Sequence, residues 1–437
     1  MCGICGWINR EKTGKDRDLT QRTLEDMMAA LIHRGPDQGK SWLSDRAALG
    51  FQRLAIIDPA GSTQPMTNET GDKVLVFNGE IYNYQELRRE LSQAGHHFLS
   101  LGDSEVLLHG YEEWKERLPE HLRGMFAFVI WDEKEQKLYA ARDHFGIKPF
   151  YYTLTDSCFL FASEIKGILP HPGYKKRLNP EALEQYLSFQ YSALEETFFK
   201  GIYQLLPGHF LEYRPDDDIL TLPRYFRPSL HPKKPKNPVY TSEKQWISQI
   251  DRAVEESVHA HMAADVEIAT FLSGGVDSCL VASEFTGNKA FTVGFGNEPG
   301  KYNEIPLAGE LARKMHLEHT GKKISEKEFW EAVPEVLYHM DEPSGDPSAV
   351  ALYFLAREAA RKVKVVVSGE GADELFGGYC IYCEPNALKP YRKLPEAFRK
   401  KLAGLAGRLP DVKGRSFLIR GSKPVEERFI GNANLFT

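Results

Sequence analysis

Residues 266–285 read "VEIATFLSGGVDSCLVASEF", an apolar run, a short polar turn and a second apolar segment. The first seven residues suit a buried strand, and beyond the turn apolar residues return at helical spacing. Gly274 and Gly275 let the backbone approach a ligand, and the first turn of the following helix offers unpaired N–H groups and a positive dipole end to an anion. A phosphate fits such a loop. Asp277 would repel a bare phosphate but suits one bridged by Mg²⁺. Its structural alternative is a helix N-cap. Strand, loop and helix in succession favour the phosphate reading.

Outward from this loop the same grammar repeats. The strand "VKVVV" (363–367) ends in "SGEGADELFGGY" (368–379), again rich in glycine and carrying Glu370, Asp373 and Glu374. With "AFTVGF" (290–295) and helical stretches such as "VALYFLAREAARK" (350–362) between them, these strands predict a parallel, doubly wound sheet. Loops leaving the carboxyl ends of such strands face one crevice, where these folds bind ligands. Glu370 and Asp373 are candidates for cation binding or proton transfer, and Glu374 stays open.

The preceding half has another pattern. Short strands occur at "GFQRLAII", "KVLVFNGEI", "GMFAFVIWD", "KLYAARD", "PFYYTL" and "CFLFASE", joined by turn residues as in antiparallel hairpins. Helices are expected at about 20–33, at "NYQELRRELSQAG" with Asn83 and Glu86 as a capping box, and after Asp103. This is a layered α+β arrangement. Between the halves, "RPSLHPKKPKNPVY" (227–240) has four prolines and three lysines and little to bury, as a connecting segment does.

The 437 residues are enough for two or three domains, with 42 % hydrophobic and 27 % charged residues. A net charge of −6 argues against a nucleic-acid partner held by a basic face and favours small-molecule substrates. No run has the apolar length of a membrane span, and six cysteines are too few for a disulfide framework, which fits a cytoplasmic protein. Cys2/Cys5 and Cys380/Cys383 could form a four-cysteine zinc site, but the pairs lie in different halves. Cys5 and the later pair read better as small buried residues.

Cys2 has a different claim. If Met1 is removed, the thiol stands beside a free α-amino group whose reference pKa of about 7.7–8.0 lets it act as a base. The structural alternative is a surface thiol in a frayed end.

"SGGVDS" and "SGEGADE", with "FTVGF" and "DEPSGDPSA", resemble the ATP pyrophosphatase domain of asparagine synthetases. "MCGI", "HRGPD", "RLAIID", "FNGEIYN" and "GDSEV", followed by "GMFAF" and "ARDHFGIKP", resemble in their order a class II glutamine amidotransferase domain. The resemblance implies an N-terminal-nucleophile hydrolase fold, a layered αββα domain, over 1–208, a linker over 209–240 and a pyrophosphatase domain over 241–437. That last domain is expected to be incomplete, because the family continues with a helical region that holds a lysine near the phosphates and an "RVPFLD"-like segment.

By the same resemblance Cys2 attacks the glutamine side-chain amide and Asn78 and Gly79 form the oxyanion hole. The dipeptide's structural alternative is a hairpin turn after "KVLVF". Arg53 would clamp the substrate carboxylate, and Glu80 and Asp103 its ammonium, with Asp103 serving also as a helix N-cap. Ser273, Gly274, Gly275, Asp277 and Ser278 would hold pyrophosphate, and Leu272, Val293, Ser368 and Gly369 would surround the adenosine. Glu370 and Asp373 would sit at the activated carboxylate, with Asp277 and Asp373 as Mg²⁺ ligands. The implied reaction is glutamine-dependent asparagine synthesis from aspartate and ATP by a homodimer. The alternatives are a relative amidating another carboxylate and a glutaminase with an inactive second half.

Overall fold

The computed structural model describes residues 1–12, 17–229, 242–296, 303–410, 412–424 and 427. Residues 230–240 of the expected linker and the final "RFIGNANLF" stretch lie outside the described residues.

In the N-terminal half two six-stranded antiparallel sheets stack face to face. The first runs in the order Tyr203–Gln204, Tyr151–Leu154, Cys158–Ala162, Gly3–Asn9, Ala47–Arg53, Gln38–Leu43. The second runs Ile219–Thr221, Phe210–Arg214, Lys137–Arg142, Gly124–Asp132, Lys73–Ile81, Met66–Thr67. Strand alternation makes the layers. Ile4 and Ile8 point into the inter-sheet core with Val74, Val76, Val129 and Trp131, whereas Cys5 and Trp7 of the same strand point outward to Leu24 and Met27 of helix Arg17–Ala29 and to Leu31 just beyond it. On the far side Leu75 and Phe77 meet Leu87, Leu91, Val106 and Leu107 of helices Tyr84–Gln93 and Glu105–Trp114. The order helix, sheet, sheet, helix is the expected αββα stack.

The sequence-derived strands stand at or near their expected bounds, with three corrections. Phe210–Arg214 and Ile219–Thr221, inside the expected linker, pair onto Lys137–Arg142 and complete the second sheet. The first domain therefore continues past Gly208. Asn83 precedes helix Tyr84–Gln93, but its side chain bonds His121 O and Arg123 N, so no capping box forms. Cys380 and Cys383 are exposed, since their short 3₁₀ helix packs no apolar face, while Cys5 is buried as expected.

The second half contains a four-stranded parallel sheet in the order Glu318–Ile324, Lys289–Phe295, Ile268–Phe271, Val365–Val367, with helices packed on it. Its edge strand, "EHTGKKI", has too little apolar content to stand out as a strand. Among the described residues no helix is long and apolar enough to cross a membrane.

Candidate functional site

The first pocket opens where the inter-sheet core ends. Cys2 directly precedes the central strand Gly3–Asn9. Its Sγ lies 3.6 Å from Leu54 O and 3.4 Å from Leu54 N, and its own carbonyl accepts a 2.9 Å bond from Arg34 Nε. Burial pushes the thiol pKa up, so a nucleophilic thiolate here needs a nearby proton acceptor. The Met1 α-amino group is buried and pulled down to about 5, chiefly by desolvation, and is therefore neutral near pH 7.

Asn78 and Gly79 do not turn the chain. They lie within strand Lys73–Ile81, opposite Ala127 and Phe126. Tertiary pairing overrides the local preference of the dipeptide, and the glycine serves close approach, because a Cβ there would come within 2.2 Å of Met125 O. Alternation then carries Asn78 and Glu80 onto the face of Val74 and Val76, so the strand that fills the core also lines the pocket. The Asn78 side chain is fully buried, yet neither its Nδ2 nor its Oδ1 has a hydrogen-bond partner. Such an amide costs about 1–3 kcal/mol unless something fills the place it faces.

Arg53, Glu80 and Asp103 line the same pocket and are all buried. The Arg53 guanidinium is fixed by 2.8 Å bonds to the carbonyls of Asp58 and Pro59. Asp103 does not cap the helix it precedes; its Oδ2 accepts from Ile81 N at 3.0 Å, which ties it to the Asn78 strand. Burial raises Asp103 to about 6 and Glu80 to about 7, despite the Lys148 cation that opposes the rise at Glu80. Lys148 is buried in the pocket wall and its own pKa is lowered by desolvation. Lys148 stands inside "ARDHFGIKP", where nothing in the motif marks it as a pocket residue.

The second pocket lies at the carboxyl ends of the parallel strands. Leu272, Ser273, Gly275, Asp277, Ser278, Val293, Ser368, Gly369, Glu370 and Asp373 all line it. Gly274 is absent from the wall and packs behind the loop, where a Cβ would come within 2.5 Å of Leu307. Ser273 and Ser278 hydroxyls meet at 2.7 Å, Ser273 N donates to Ser278 Oγ at 3.0 Å, and Gly275 N donates to Ser273 Oγ at 3.0 Å. The loop is thus closed on itself. Asp277 is the second residue of helix Val276–Ser283, whose N-cap is Gly275, so the capping alternative does not hold. A Cβ at Gly369 would come within 2.8 Å of the Asp277 carbonyl carbon, which shows how tightly the two glycine-rich loops meet. Asp277 and Asp373 both line this one cavity, so two carboxylates, the hard oxygen donors that Mg²⁺ prefers, face the same space. Thr292 and Tyr379, which stand inside the "FTVGF" and "SGEGADELFGGY" stretches without an assigned role, also line the wall, as does Glu304, which no motif announces. Open mouths included, the two pockets enclose about 490 and 860 Å³ of empty space, the second being the larger.

Residues 1–226 match the glutamine amidotransferase domain family, and residues 249–427 match the asparagine synthase family. The chain is 41 % identical over 441 residues to asparagine synthetase [glutamine-hydrolyzing] 1 of Bacillus subtilis, covering all of this chain and 68 % of that relative. It belongs to the glutamine-hydrolysing asparagine synthetase family. A putative asparagine synthetase of Mycobacterium bovis is likewise 41 % identical over 457 residues, covering 100 % of this chain and 69 % of the relative. A putative asparagine synthetase of Methanocaldococcus jannaschii is 31 % identical over 465 residues, covering 100 % of this chain and 83 % of the relative.

In this member of the synthetase family the two halves are joined by charge. Glu164 accepts from Arg34 Nη1 at 2.6 Å, His33 Nε2 at 2.9 Å and Lys166 Nζ at 2.6 Å. Lys166 Nζ also meets Asp341 Oδ1 at 2.8 Å, and Glu342 Oε1 accepts from Phe198 N at 2.9 Å. Arg34, which holds the Cys2 carbonyl, is therefore linked through three successive ion pairs, by way of Glu164 and Lys166, to Asp341 of "DEPSGDPSA" in the synthetase half.

Proposed function

We propose that the chain makes asparagine from aspartate, ATP and glutamine, with glutamate, AMP and pyrophosphate as the other products. Cys2 is the nucleophile once Met1 is removed, and its own α-amino group accepts the thiol proton. The carbonyl of the glutamine side chain becomes an oxyanion as the thioester forms, and Asn78 Nδ2 and Gly79 N–H donate to it. The proton returns to the leaving ammonia, and water releases glutamate. Arg53 orients the substrate carboxylate; Glu80 and Asp103 orient its ammonium.

In the second pocket the closed "SGGVDS" loop offers backbone N–H groups and the Ser273 and Ser278 hydroxyls to the ATP phosphates. The aspartate β-carboxylate attacks the α-phosphorus, forming β-aspartyl-AMP and releasing pyrophosphate. Asp277 and Asp373 would hold Mg²⁺, which neutralises phosphate charge when bound. Glu370 takes the proton lost as ammonia attacks the acyl-adenylate. The reading rests above all on Asn78, a fully buried amide with both polar atoms unpartnered in the pocket of Cys2.

The test supplies ATP, Mg²⁺ and aspartate with either glutamine or ammonium and follows asparagine and pyrophosphate. Asparagine from both donors is expected. Glutamate without pyrophosphate would leave only a glutaminase, and pyrophosphate that forms only with another carboxylic acid would replace aspartate as acceptor.

A further inference from the structure

Away from both pockets, on the outer helical layer of the first domain, His96 and His109 converge on Glu112. One ligand atom from each lies within 4.8 Å of the others. Glu112 Oε2 is 3.2 Å from His109 Nδ1 and 3.6 Å from His96 Nδ1. Ligand atoms on a tetrahedral Zn²⁺ with bonds of ~2.0–2.1 Å stand about 3.4 Å apart, a spacing that both of these edges approach.

The surroundings are those of a built site. Asn68 Nδ2 donates to Glu112 Oε1 at 2.8 Å, which fixes the carboxylate and leaves Oε2 turned to the two imidazoles. The far nitrogen of each ring faces a second carboxylate: His109 Nε2 is 3.6 Å from Glu105 Oε1, and His96 Nε2 is 3.6 Å from Glu113 Oε2. Metal-bound histidines commonly donate their other N–H to a carboxylate, which sets the tautomer and leaves the near nitrogen free for the ion. At 3.6 Å neither contact is a hydrogen bond, and His109 Nε2 is buried without one, so an ion held at Nδ1 would orient this N–H toward the Glu105 carboxylate. The sequence supports the geometry, since His109 and Glu112 stand three residues apart on helix Glu105–Trp114 and His96 comes from the segment after helix Tyr84–Gln93.

We propose that His96 Nδ1, His109 Nδ1 and one Glu112 oxygen bind a divalent ion of the Zn²⁺ class, with water as fourth ligand. Two nitrogens and a carboxylate oxygen match the preference of Zn²⁺ and exclude a hard ion such as Mg²⁺. The ion is structural: it clips the segment ending helix Tyr84–Gln93 to the helix that follows Asp103.

The experiment titrates the full chain, freed of metal by chelator, with Zn²⁺ against a chromophoric competitor, and repeats the titration with Co²⁺ as a visible reporter. One equivalent should bind, with the absorption of tetrahedral Co²⁺ and no thiolate charge-transfer band. Affinity should fall at least about 100-fold in His96→Ala and in Glu112→Gln, and about 10–100-fold in Glu113→Gln, which removes only a supporting carboxylate. Zn²⁺ should raise the melting temperature of the native chain and leave that of His96→Ala unchanged. His96 is partly exposed, so its variant should fold; should it not, Glu113→Gln keeps the test decisive. Equal affinity in native and variant chains, a thiolate band from the exposed Cys380 and Cys383, or no bound equivalent would each overturn the assignment.

Discussion

The two pockets are made of different materials. The one around Cys2 is walled by strands whose other residues fill the core between two six-stranded sheets, and Arg53, Asn78, Glu80 and Asp103 are all buried. The one around Asp277 is walled mainly by loops that follow three of the four parallel strands, and Glu370 there is exposed. Burial turns the first into a place where protonation is tuned: Cys2, Glu80, Asp103 and Lys148 are all displaced from their ordinary pKa values with desolvation as the leading cause. The second leaves Asp277 and Asp373 only half-buried, and its loops meet through glycine where a side chain would separate them.

If this contrast holds, the halves can be silenced separately. Cys2→Ala should abolish glutamate release and leave ammonia-dependent asparagine formation intact, whereas Asp277→Asn should abolish pyrophosphate formation and leave glutamine hydrolysis. Product assays on both variants decide. Loss of both activities in Cys2→Ala would give Cys2 a structural role, and unchanged ATP turnover in Asp277→Asn would remove the metal bridge.

A smaller effect separates binding from catalysis inside the buried pocket. Asn78→Ala should lower kcat for glutamine hydrolysis by about 10²–10³ with little change in KM, the usual result of removing one oxyanion donor. Because the native amide has no protein partner, the variant should melt at or slightly above the native temperature. A raised KM with kcat retained would make Asn78 a ground-state contact instead.

The join between the halves is open to the same treatment. Lys166→Met leaves Asp341 buried without its cation, while Glu164 retains Arg34 and His33. Breaking a buried pair from one side typically costs about 3 kcal/mol or more, and the loss should appear in thermal unfolding. An unchanged melting temperature would show that the two halves are held together by something other than this pair.

Short motifs gave both pockets in advance because each motif residue contributes a chemical group and each glycine a close approach, both of which are local properties. What stayed hidden depends on distant partners. Asn78-Gly79 has the composition of a turn, and only the ladder to Gly124–Asp132 makes it mid-strand. Asp103 looks like a helix cap until Ile81 N from another element takes its carboxylate. Phe210–Arg214 follows the amidotransferase motifs but gains its reason to be a strand from Lys137–Arg142. Lys148 belongs to a motif stretch, yet its importance comes from burial beside Glu80, which no spacing announces.

Glu80 gives the finest test, because stability and binding respond to its proton with opposite signs. Its pKa in the folded protein, about 7, lies above the ordinary carboxyl value. Its contribution to stability is therefore full below the unfolded pKa and is lost as pH rises through about 7. Binding runs the other way, since a substrate ammonium needs the carboxylate ionised, so the KM for glutamine should rise several-fold as pH falls through about 7 toward the Asp103 value near 6. Glu80→Gln should raise KM at the alkaline end, flatten the profile above pH 6 and slow the loss of melting temperature with rising pH. Saturating glutamine should slow that loss in the native chain as well, because the bound ammonium supplies the missing partner for the ionised form. A native KM that is flat across this range would mean that the ammonium is held by Asp103 alone, and that the burial of Glu80 serves the pocket's shape and not its charge.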